Sequence, residues 1–301
     1  MKHLLSIKEL SQTQLLDILA LAKKIKANPA EYRRALDGKS VVMLFEKPSL
    51  RTRVSFDIGI NKLGGHCLYL DQQNGALGKR ESVEDFATNI SCWADAIVAR
   101  TYSHTTIEKL AKHGSVPVIN ALSDLYHPCQ ALADFLSLSE QFDDVRNAKL
   151  AYVGDGNNVT HSLIYGAAIL GLTMTVICPE GYFPDALVVT EAQAIAAKNG
   201  GKLILSADID QIEGHDAIYT DTWISMGDDT SLTEIKERFS PYQVNAELMA
   251  KAGAKYFMHC LPAHRGVEVT DEVMDGEGSL ILHQAENRMH AQNAVLVTLL
   301  S

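Results

Sequence analysis

Hydroxyl and guanidinium side chains cluster directly after a short apolar run in the first part of the chain. The run VVMLF at 41–45 is followed by EKPSLRTRVSF at 46–56, which contains Ser49, Leu50, Arg51, Thr52 and Arg53. Guanidinium groups bind phosphate in a bidentate fork, and a helix beginning at Ser49 would add free N–H groups and a favourable dipole. The segment predicts a site for a small, doubly charged anion, with a capped helix and solvated arginines as the alternative.

Polar groups also stand where later apolar runs end. Arg100 is the last residue of AIVAR at 96–100, a position that favours contact with a ligand, with a structural salt bridge as the alternative. LYHPCQ at 125–130 places His127 and Gln130 at the start of a long amphipathic stretch. An imidazole and an amide at a helix N-terminus can both hydrogen-bond an uncharged carbonyl or amide. We therefore expect groups for a carbonyl near the predicted anion site.

A glycine-containing turn opens the second half of the chain. GDGNNV at 154–159 resembles a dinucleotide-binding fingerprint, but Val159 occupies the place of the third glycine. The sequence thus disfavours nucleotide binding, and with it a nucleotide-dependent oxidoreductase. Asn157 and Asn158 instead offer amides at a helix N-terminus, which suit a carboxylate.

Two later loops add a carboxylate and a thiol. The loop that begins at Asp221 contains acids but no Lys or Arg until Lys236, so we expect it to hold a cation such as an ammonium group. Cys260 follows His259 at the end of the run YFMHC, with a buried inert thiol or a metal pair as alternatives. One cysteine and two histidines within six residues make a poor zinc site, so no metal is expected.

Helix-like and strand-like segments alternate along the chain and would position these groups. Runs that suit buried strands lie at 41–45, 66–70, 96–100, 116–120, 202–207, 217–220, 256–260 and 279–283, and a strand–turn–helix–strand unit spans 149–181. Helix-like stretches lie at 50–63, 82–94, 106–113, 129–142 and 285–301. Another helix begins with a capping box formed by Ser11 and Gln14. Ligands of such parallel sheets bind at the carboxyl ends of the strands.

This alternation predicts an α/β protein of two domains, each a parallel sheet flanked by helices, with the substrate cleft between them. A length of 301 residues suits two domains. We expect the first domain to span 1–130, with the C-terminal helix 284–301 packing back on it. The second domain is expected to span 131–283.

Composition excludes several classes of protein. The net charge of −10 disfavours nucleic acid and anionic membrane as partners, because those contacts need basic surface. No run reaches the roughly 18 apolar residues of a membrane span, and the opening MKHLLSIKELSQ does not match a signal peptide. The five cysteines lack C-x-x-C spacing, which is typical of reduced thiols in a cytoplasmic protein.

Several of these segments, in order, resemble motifs of the aspartate/ornithine carbamoyltransferase family, and of its ornithine-specific members in particular. SLRTR at 49–53 is similar to the family's S-T-R-T-R phosphate motif, and HPCQ at 127–130 to its H-P-x-Q motif. DTWISMG at 221–227 and HCLP at 259–262 match its ornithine half. Arg288 in AENRMH corresponds to an arginine that reaches back from the final helices. The resemblance covers essentially the whole chain.

The resemblance implies transfer of the carbamoyl group of carbamoyl phosphate to the δ-amine of L-ornithine, giving L-citrulline and phosphate in arginine biosynthesis. It implies that carbamoyl phosphate is bound by Ser49, Leu50, Arg51, Thr52, Arg100, His127, Gln130, Cys260, Leu261 and Arg288. It implies catalytic roles for Arg100, His127 and Cys260. It implies that ornithine is bound by Asn158, Asp221, Ser225 and Met226. It also implies a homotrimer or a multiple of trimers, without a cofactor.

The chain departs from the family pattern at two places. Leu50 stands where the family commonly has threonine, but the first residue of a helix can bind phosphate through its N–H alone. Ala76 stands where some members place a glutamine for a neighbouring subunit's site, and Lys79 and Arg80 nearby are not assigned to the site. The alternatives are a related carbamoyltransferase for another amine and a non-catalytic protein that binds carbamoyl phosphate. The direction of the reaction in the cell stays open.

Overall fold

Two compact units make up the chain. The computed structural model describes residues 1–71, 77, 81–223 and 232–300. The first unit comprises Met1–Leu136 with Asn287–Ser301, and the second unit comprises Ser137–Glu286. Each unit contains a parallel sheet with helices, so the predicted α/β fold class is confirmed. The divisions lie a few residues beyond 130 and 283, and the predicted domain roles and substrate cleft stay predictions.

A four-stranded parallel sheet forms the core of the first unit. Its spatial order is β2-β1-β3-β4, with β1 at Ser40–Phe45, β2 at His66–Leu70, β3 at Ala96–Arg100 and β4 at Val118–Leu122. The central strands are buried almost end to end, as expected of strands covered on both faces. Their register pairs Phe45 with Arg100, so the turns that follow β1 and β3 leave the sheet side by side.

The helices of the first unit begin at polar capping residues. They are α1 at Gln12–Ala27, α2 at Pro29–Tyr32, α3 at Leu50–Lys62, α4 at Val83–Ile90 and α5 at His104–His113. The capping box predicted at Ser11 and Gln14 is confirmed, and Ser49 accepts a hydrogen bond from Thr52 N at the start of α3. Two further helices, α6 at Pro128–Ser139 and α12 at Ile281–Leu300, continue across the divisions between the units.

The second unit contains a five-stranded parallel sheet. Its order is β7-β6-β5-β8-β9, with β5 at Lys149–Val153, β6 at Thr173–Ile177, β7 at Lys202–Ser206, β8 at Ala217–Thr220 and β9 at Tyr256–His259. Its helices are α7 at Asn158–Leu170, α8 at Ala186–Asn199, α9 at Leu232–Phe239, α10 at Ala246–Ala252 and α11 at Asp271–Met274. The register of β8 and β9 pairs Thr220 with His259, which brings the loops after these two strands together.

Two strand predictions need correction. The fourth strand occupies Val118–Leu122, two residues later than the predicted run 116–120. The run 279–283 is not a strand, because only Ser279 forms a bridge, to Phe257, before α12 begins. The Leu280 carbonyl already accepts from Gln284 N, the first bond of that helix.

In the described part of the chain, no helix combines the length and apolarity that a membrane crossing requires.

Candidate active site

The start of α3 presents hydrogen-bond donors next to the end of β3. Ser49 is the N-cap residue, as predicted, and its hydroxyl donates to Thr52 Oγ1 at 3.0 Å. The N–H groups of Leu50 and Arg51 belong to the first turn, where a helix supplies no acceptor for them. Since the register of β1 and β3 brings Arg100 to the same edge of the sheet, these donors and Arg100 share one region of the first unit.

Arg288, on α12, lies at the centre of a buried hydrogen-bond network in the same unit. Its Nη1 donates to Gln130 Oε1 at 2.8 Å, and its Nη2 donates to Thr52 Oγ1 at 2.7 Å. Nη2 also lies 3.3 Å from His127 Nε2. Gln130 in turn donates to Asp134 Oδ1 at 2.7 Å, so a buried carboxylate one helical turn away fixes the orientation of the Gln130 amide. The sequence motifs around 52, 127–130 and 288 therefore meet.

Arg100 is a second buried guanidinium beside Arg288. Its side chain is 4% exposed, and burial, followed by repulsion from Arg288, lowers its pKa to about 10. Arg100 nevertheless stays protonated at neutral pH. Among the residues that the structure describes, no carboxylate forms a salt bridge with Arg100. Burying a charge without a counter-charge is unfavourable, and a bound anion would compensate it.

His127 is held in its neutral form. Burial, followed by the positive charges of Arg288 and Arg100, lowers the pKa of His127 well below its ordinary value. The Arg288 guanidinium can only donate, so His127 Nε2 acts as the acceptor and the neutral ring has its proton on Nδ1. His127 therefore adds a neutral hydrogen-bonding group, without further positive charge, to a region that already contains two arginines.

The other residues of the SLRTR segment are more exposed. Arg51 lies on the solvent side of α3, and the Leu50 side chain is 77% exposed. The Arg53 guanidinium stacks over the Tyr69 ring, 4.0 Å from its centroid, so its side chain points toward β2. The predicted contacts of Leu50 with a ligand can involve only its N–H, because the side chain faces outward.

Asp221 is the centre of the polar cluster in the second unit. It follows β8 and is buried, with Oδ2 accepting from Asn157 Nδ2 at 2.9 Å. Oδ1 accepts from Thr222 N at 2.8 Å and from the Cys260 thiol at 3.0 Å. Asn157 is the N-cap residue of α7, while the half-buried Asn158 is the first residue of that helix. Three predicted positions, Asn158, Asp221 and Cys260, therefore lie in one region.

The turn after β9 places Cys260 and Leu261 beside this cluster. Leu261 has φ of 60°, the left-handed conformation, and its peptide bond to Pro262 is cis. The Leu261 N–H donates to His259 Nδ1 at 2.9 Å. Ser225 and Met226, also predicted to bind ornithine, lie outside the described residues, as do Ala76, Lys79 and Arg80.

Two family models match nearly the whole chain. Residues 2–140 match the carbamoyl-P binding domain of aspartate/ornithine carbamoyltransferase, and residues 146–299 match its Asp/Orn binding domain. The chain belongs to the aspartate/ornithine carbamoyltransferase family. The predicted family resemblance is thus confirmed, and the chain is a carbamoyltransferase.

Relatives of this carbamoyltransferase match it over nearly all of their length. An ornithine carbamoyltransferase of Shewanella oneidensis is 80% identical over 301 residues, covering 100% of both chains. One from Moritella abyssi is 64% identical over 300 residues, again covering 100% of both chains. The solved structure of ornithine carbamoyltransferase from Pyrococcus furiosus has a TM-score of 0.94 at 46% identity, covering 98% of this chain and 96% of that chain.

Asp221, His259 and Cys260 also present possible metal ligands in this carbamoyltransferase. One ligand atom from each lies within 4.8 Å of the others. The Nδ1 atom of His259 already accepts from Leu261 N, however, and Nε2 lies 3.3 Å from Glu268 Oε1. These contacts account for the proximity of the three side chains without an ion.

Sequence reasoning missed three polar residues that orient the candidate site. They are Asp134 behind Gln130, and Glu268 and Gln284 around His259. Asn157 was expected to offer its amide to a ligand carboxylate, and in the structure that amide donates to Asp221 instead. Asp134 stands four residues after Gln130 on a helix, a spacing that predicts a side-chain contact. Glu268 and Gln284 have no comparable pattern, because their proximity to His259 depends on the path of the chain after β9.

Proposed function

We propose that this carbamoyltransferase transfers the carbamoyl group of carbamoyl phosphate to the δ-amine of L-ornithine, giving L-citrulline and phosphate. The observation that most strongly supports this function is that Arg100 is buried beside Arg288. Among the described residues, no carboxylate forms a salt bridge with Arg100. Two adjacent buried cations favour a doubly charged ligand. The ornithine carbamoyltransferase of Shewanella oneidensis, 80% identical, supports the choice of acceptor.

The phosphate is assigned to the start of α3 and Arg100. The Ser49 hydroxyl, the N–H groups of Leu50, Arg51 and Thr52, and the Arg100 guanidinium would bind its oxygens. A helix N-terminus and guanidinium groups favour this charge. Gln130 and Thr52 hold Arg288 in place, so Arg288 adds positive charge at a fixed position.

The carbonyl of the carbamoyl group is assigned to Arg100 and His127. As the amine attacks, negative charge develops on that oxygen, and preorganised donors stabilise it. A neutral His127 can donate an N–H there without adding to the repulsion between the two arginines. Gln130 and the Leu261 carbonyl would accept from the carbamoyl NH₂.

Ornithine is assigned to the polar cluster of the second unit. Asp221 would bind the α-ammonium group and Asn158 the carboxylate, with Ser225 and Met226 completing the contacts. Cys260, held by its hydrogen bond to Asp221, would contact the δ-nitrogen. The δ-amine must lose a proton to attack. The departing phosphate can accept the proton released from the tetrahedral intermediate, so no separate general base is required.

We expect this enzyme to select ornithine strongly over related amines. A second carboxylate, as in aspartate, would need cations, and the chain has no Lys or Arg from 221 to 235. Putrescine lacks the carboxylate for Asn158, and N-acetylornithine lacks the ammonium group for Asp221. Sites that hydrogen-bond a polar group reject analogues lacking it by about 10,000-fold or more. A product assay with carbamoyl phosphate and each amine measures this. Equal rates with ornithine and aspartate would contradict the assignment.

We expect the rate with ornithine to rise with pH because only the neutral δ-amine attacks. Such an amine has a reference pKa of about 10.4, and its neutral fraction rises about tenfold per pH unit below that value. The pKa of His127 is lowered, so His127 stays neutral over the same range. The measurement is kcat/KM for ornithine between about pH 6 and pH 9. His127→Asn should lower the whole profile without moving its rise, whereas a flat wild-type profile would refute amine deprotonation as the controlling step.

Assembly and cellular setting complete the proposal. We expect a homotrimer or a multiple of trimers in the cytoplasm, acting in arginine biosynthesis. Leu50, Val54 and Ile58 form an exposed apolar stripe along α3, and contact with a second copy of the chain would remove it from water. A Pyrococcus furiosus relative, 46% identical, is named an anabolic ornithine carbamoyltransferase, which supports the biosynthetic direction.

A further inference from the structure

Glu268 is a fully buried carboxylate with few partners. Its Oε1 accepts from His264 N at 2.5 Å and lies 3.3 Å from His259 Nε2, without the geometry of a hydrogen bond. Its Oε2 has no hydrogen-bond partner among the described residues and lies 3.7 Å from His264 Nδ1. A buried carboxyl group with so few hydrogen bonds is unfavourable for the fold alone. The position of Glu268 is better explained by its contacts with His259 and with His264 N.

His259 connects Glu268 to the turn after β9. It is fully buried, and its backbone N–H donates to Gln284 Oε1 at 3.0 Å. Its Nδ1 accepts from Leu261 N at 2.9 Å, so the neutral ring has its proton on Nε2, the nitrogen that faces Glu268. Glu268 therefore acts on the Leu261 peptide through a single imidazole.

The turn at 259–264 needs such contacts because the sheet no longer supports it. Pairing of β9 with β8 stops at Thr220 and His259, one residue before Cys260. Leu261 then adopts φ of 60°, a conformation that residues other than glycine rarely adopt. Glu268 contacts both ends of the turn, through His259 and through His264 N.

We propose that Glu268 is a positioning residue for carbamoyl transfer, acting through His259 to fix Cys260 and the Leu261 carbonyl. The inference rests on the proposed function, in which these two groups contact the reacting amine and the carbamoyl NH₂. Glu268 itself touches neither substrate. We expect its loss to displace the turn without unfolding the second unit, because Glu268 is not one of the residues of that unit's hydrophobic core.

Three variants separate positioning from general loosening of the loop. Glu268→Leu removes both acceptor oxygens, whereas Glu268→Gln keeps one oxygen and the size of the side chain. The matched control is Arg265→Gln in the same loop, which removes exposed ion pairs to Asp271 and Asp275. If general stiffness of the loop mattered, the control would resemble Glu268→Leu.

Turnover and thiol reactivity are the two readouts. A displacement near 1 Å costs about 100-fold in rate, so kcat should fall about that much in Glu268→Leu, with the KM values little changed. Glu268→Gln should lie between that variant and wild type, and Arg265→Gln should match wild type. Alkylation of Cys260 by iodoacetamide, followed by peptide mass spectrometry, should accelerate several-fold in Glu268→Leu relative to the exposed Cys92, which serves as internal standard.

Urea unfolding with and without carbamoyl phosphate shows whether each variant is folded and binds carbamoyl phosphate. A fall in kcat is then not mistaken for unfolding. The proposal is overturned if folded Glu268→Leu keeps wild-type kcat and Cys260 reactivity. It is also overturned if Arg265→Gln has the same effects. If Glu268→Leu does not fold, wild-type values in Glu268→Gln overturn it. Failure of wild type to carbamoylate ornithine would refute the proposed function, while the Cys260 reactivity would still test the position of the turn.

Discussion

Replacing Arg100 with methionine is expected to abolish carbamoyl transfer while leaving the unliganded protein at least as stable as wild type. Burial lowers the pKa of Arg100 to about 10, and Arg288 adds to this effect. Because the pKa of Arg100 is lower in the folded protein than in the unfolded chain, the charged side chain opposes folding. This effect is fully present at every pH below the folded-state pKa. An apolar side chain of similar length removes that penalty. Replacing a buried ion pair with apolar residues is often neutral or stabilising by about 1–4 kcal/mol, and we expect the same direction for this buried charge.

The expected loss of activity comes from the same guanidinium. In the proposed mechanism Arg100 binds the phosphate and stabilises the oxyanion, and one oxyanion donor alone contributes about 100- to 1,000-fold to kcat. Urea unfolding at low temperature, with and without carbamoyl phosphate, measures both stability and binding. A ligand at a hundred times its Kd stabilises a protein by about 2.7 kcal/mol, and Arg100→Met should lose this protection.

Arg53→Met is the matched control for Arg100→Met. Arg53 stands in the same family motif as Arg51, but it is exposed and stacks on Tyr69. We expect this variant to keep carbamoyl phosphate protection and most of its turnover. Protection of Arg100→Met by carbamoyl phosphate, or a loss of several kcal/mol of unfolding free energy without ligand, would show that Arg100 has a structural role instead.

The parts of the fold set by local interactions could be predicted from the sequence. The capping box at Ser11 and the N-cap at Ser49 depend on residues within three positions, and both occur in the structure. The central strands are apolar runs between polar turns, so their ends, and Arg100 at one of them, were also predictable. The structure of the run 279–283 was not predictable, because a short apolar run suits a buried strand and a helix equally well.

The contacts that orient the candidate site were not predictable in this way. Arg288 meets Gln130 across 158 positions of the sequence, and the family resemblance indicated only that this arginine reaches back. Asp221 pairs with Asn157, the N-cap residue of α7. The amide oxygen of Asn157 accepts from Val159 N, and its NH₂ group donates to the Asp221 carboxylate. Such pairs depend on strand order, which no single segment of the sequence specifies.

Asp221→Asn is expected to remove nearly all turnover and to destabilise the fold. One carboxylate oxygen accepts from Thr222 N and Cys260, and the other accepts from Asn157 Nδ2. An amide can replace only one of these oxygens, so its NH₂ group would face a donor. A buried donor left without an acceptor costs about 1–3 kcal/mol. Loss of activity in this variant alone therefore does not distinguish a missing charge from a disturbed network.

Exchanging the two side chains, as Asn157→Asp with Asp221→Asn, makes that distinction. The introduced carboxylate can still accept from Val159 N and Thr160 N, since aspartate caps helices as well as asparagine does. Its second oxygen can accept from the new amide at 221, so composition, net charge and hydrogen bonding are restored. Urea unfolding should recover most of the lost stability, and carbamoyl phosphate should protect both variants. Turnover with ornithine should stay low, because the negative charge has moved from the end of β8 to the start of α7. If the exchanged protein regained wild-type kcat/KM, the charge of Asp221 would not be the partner of the α-ammonium group.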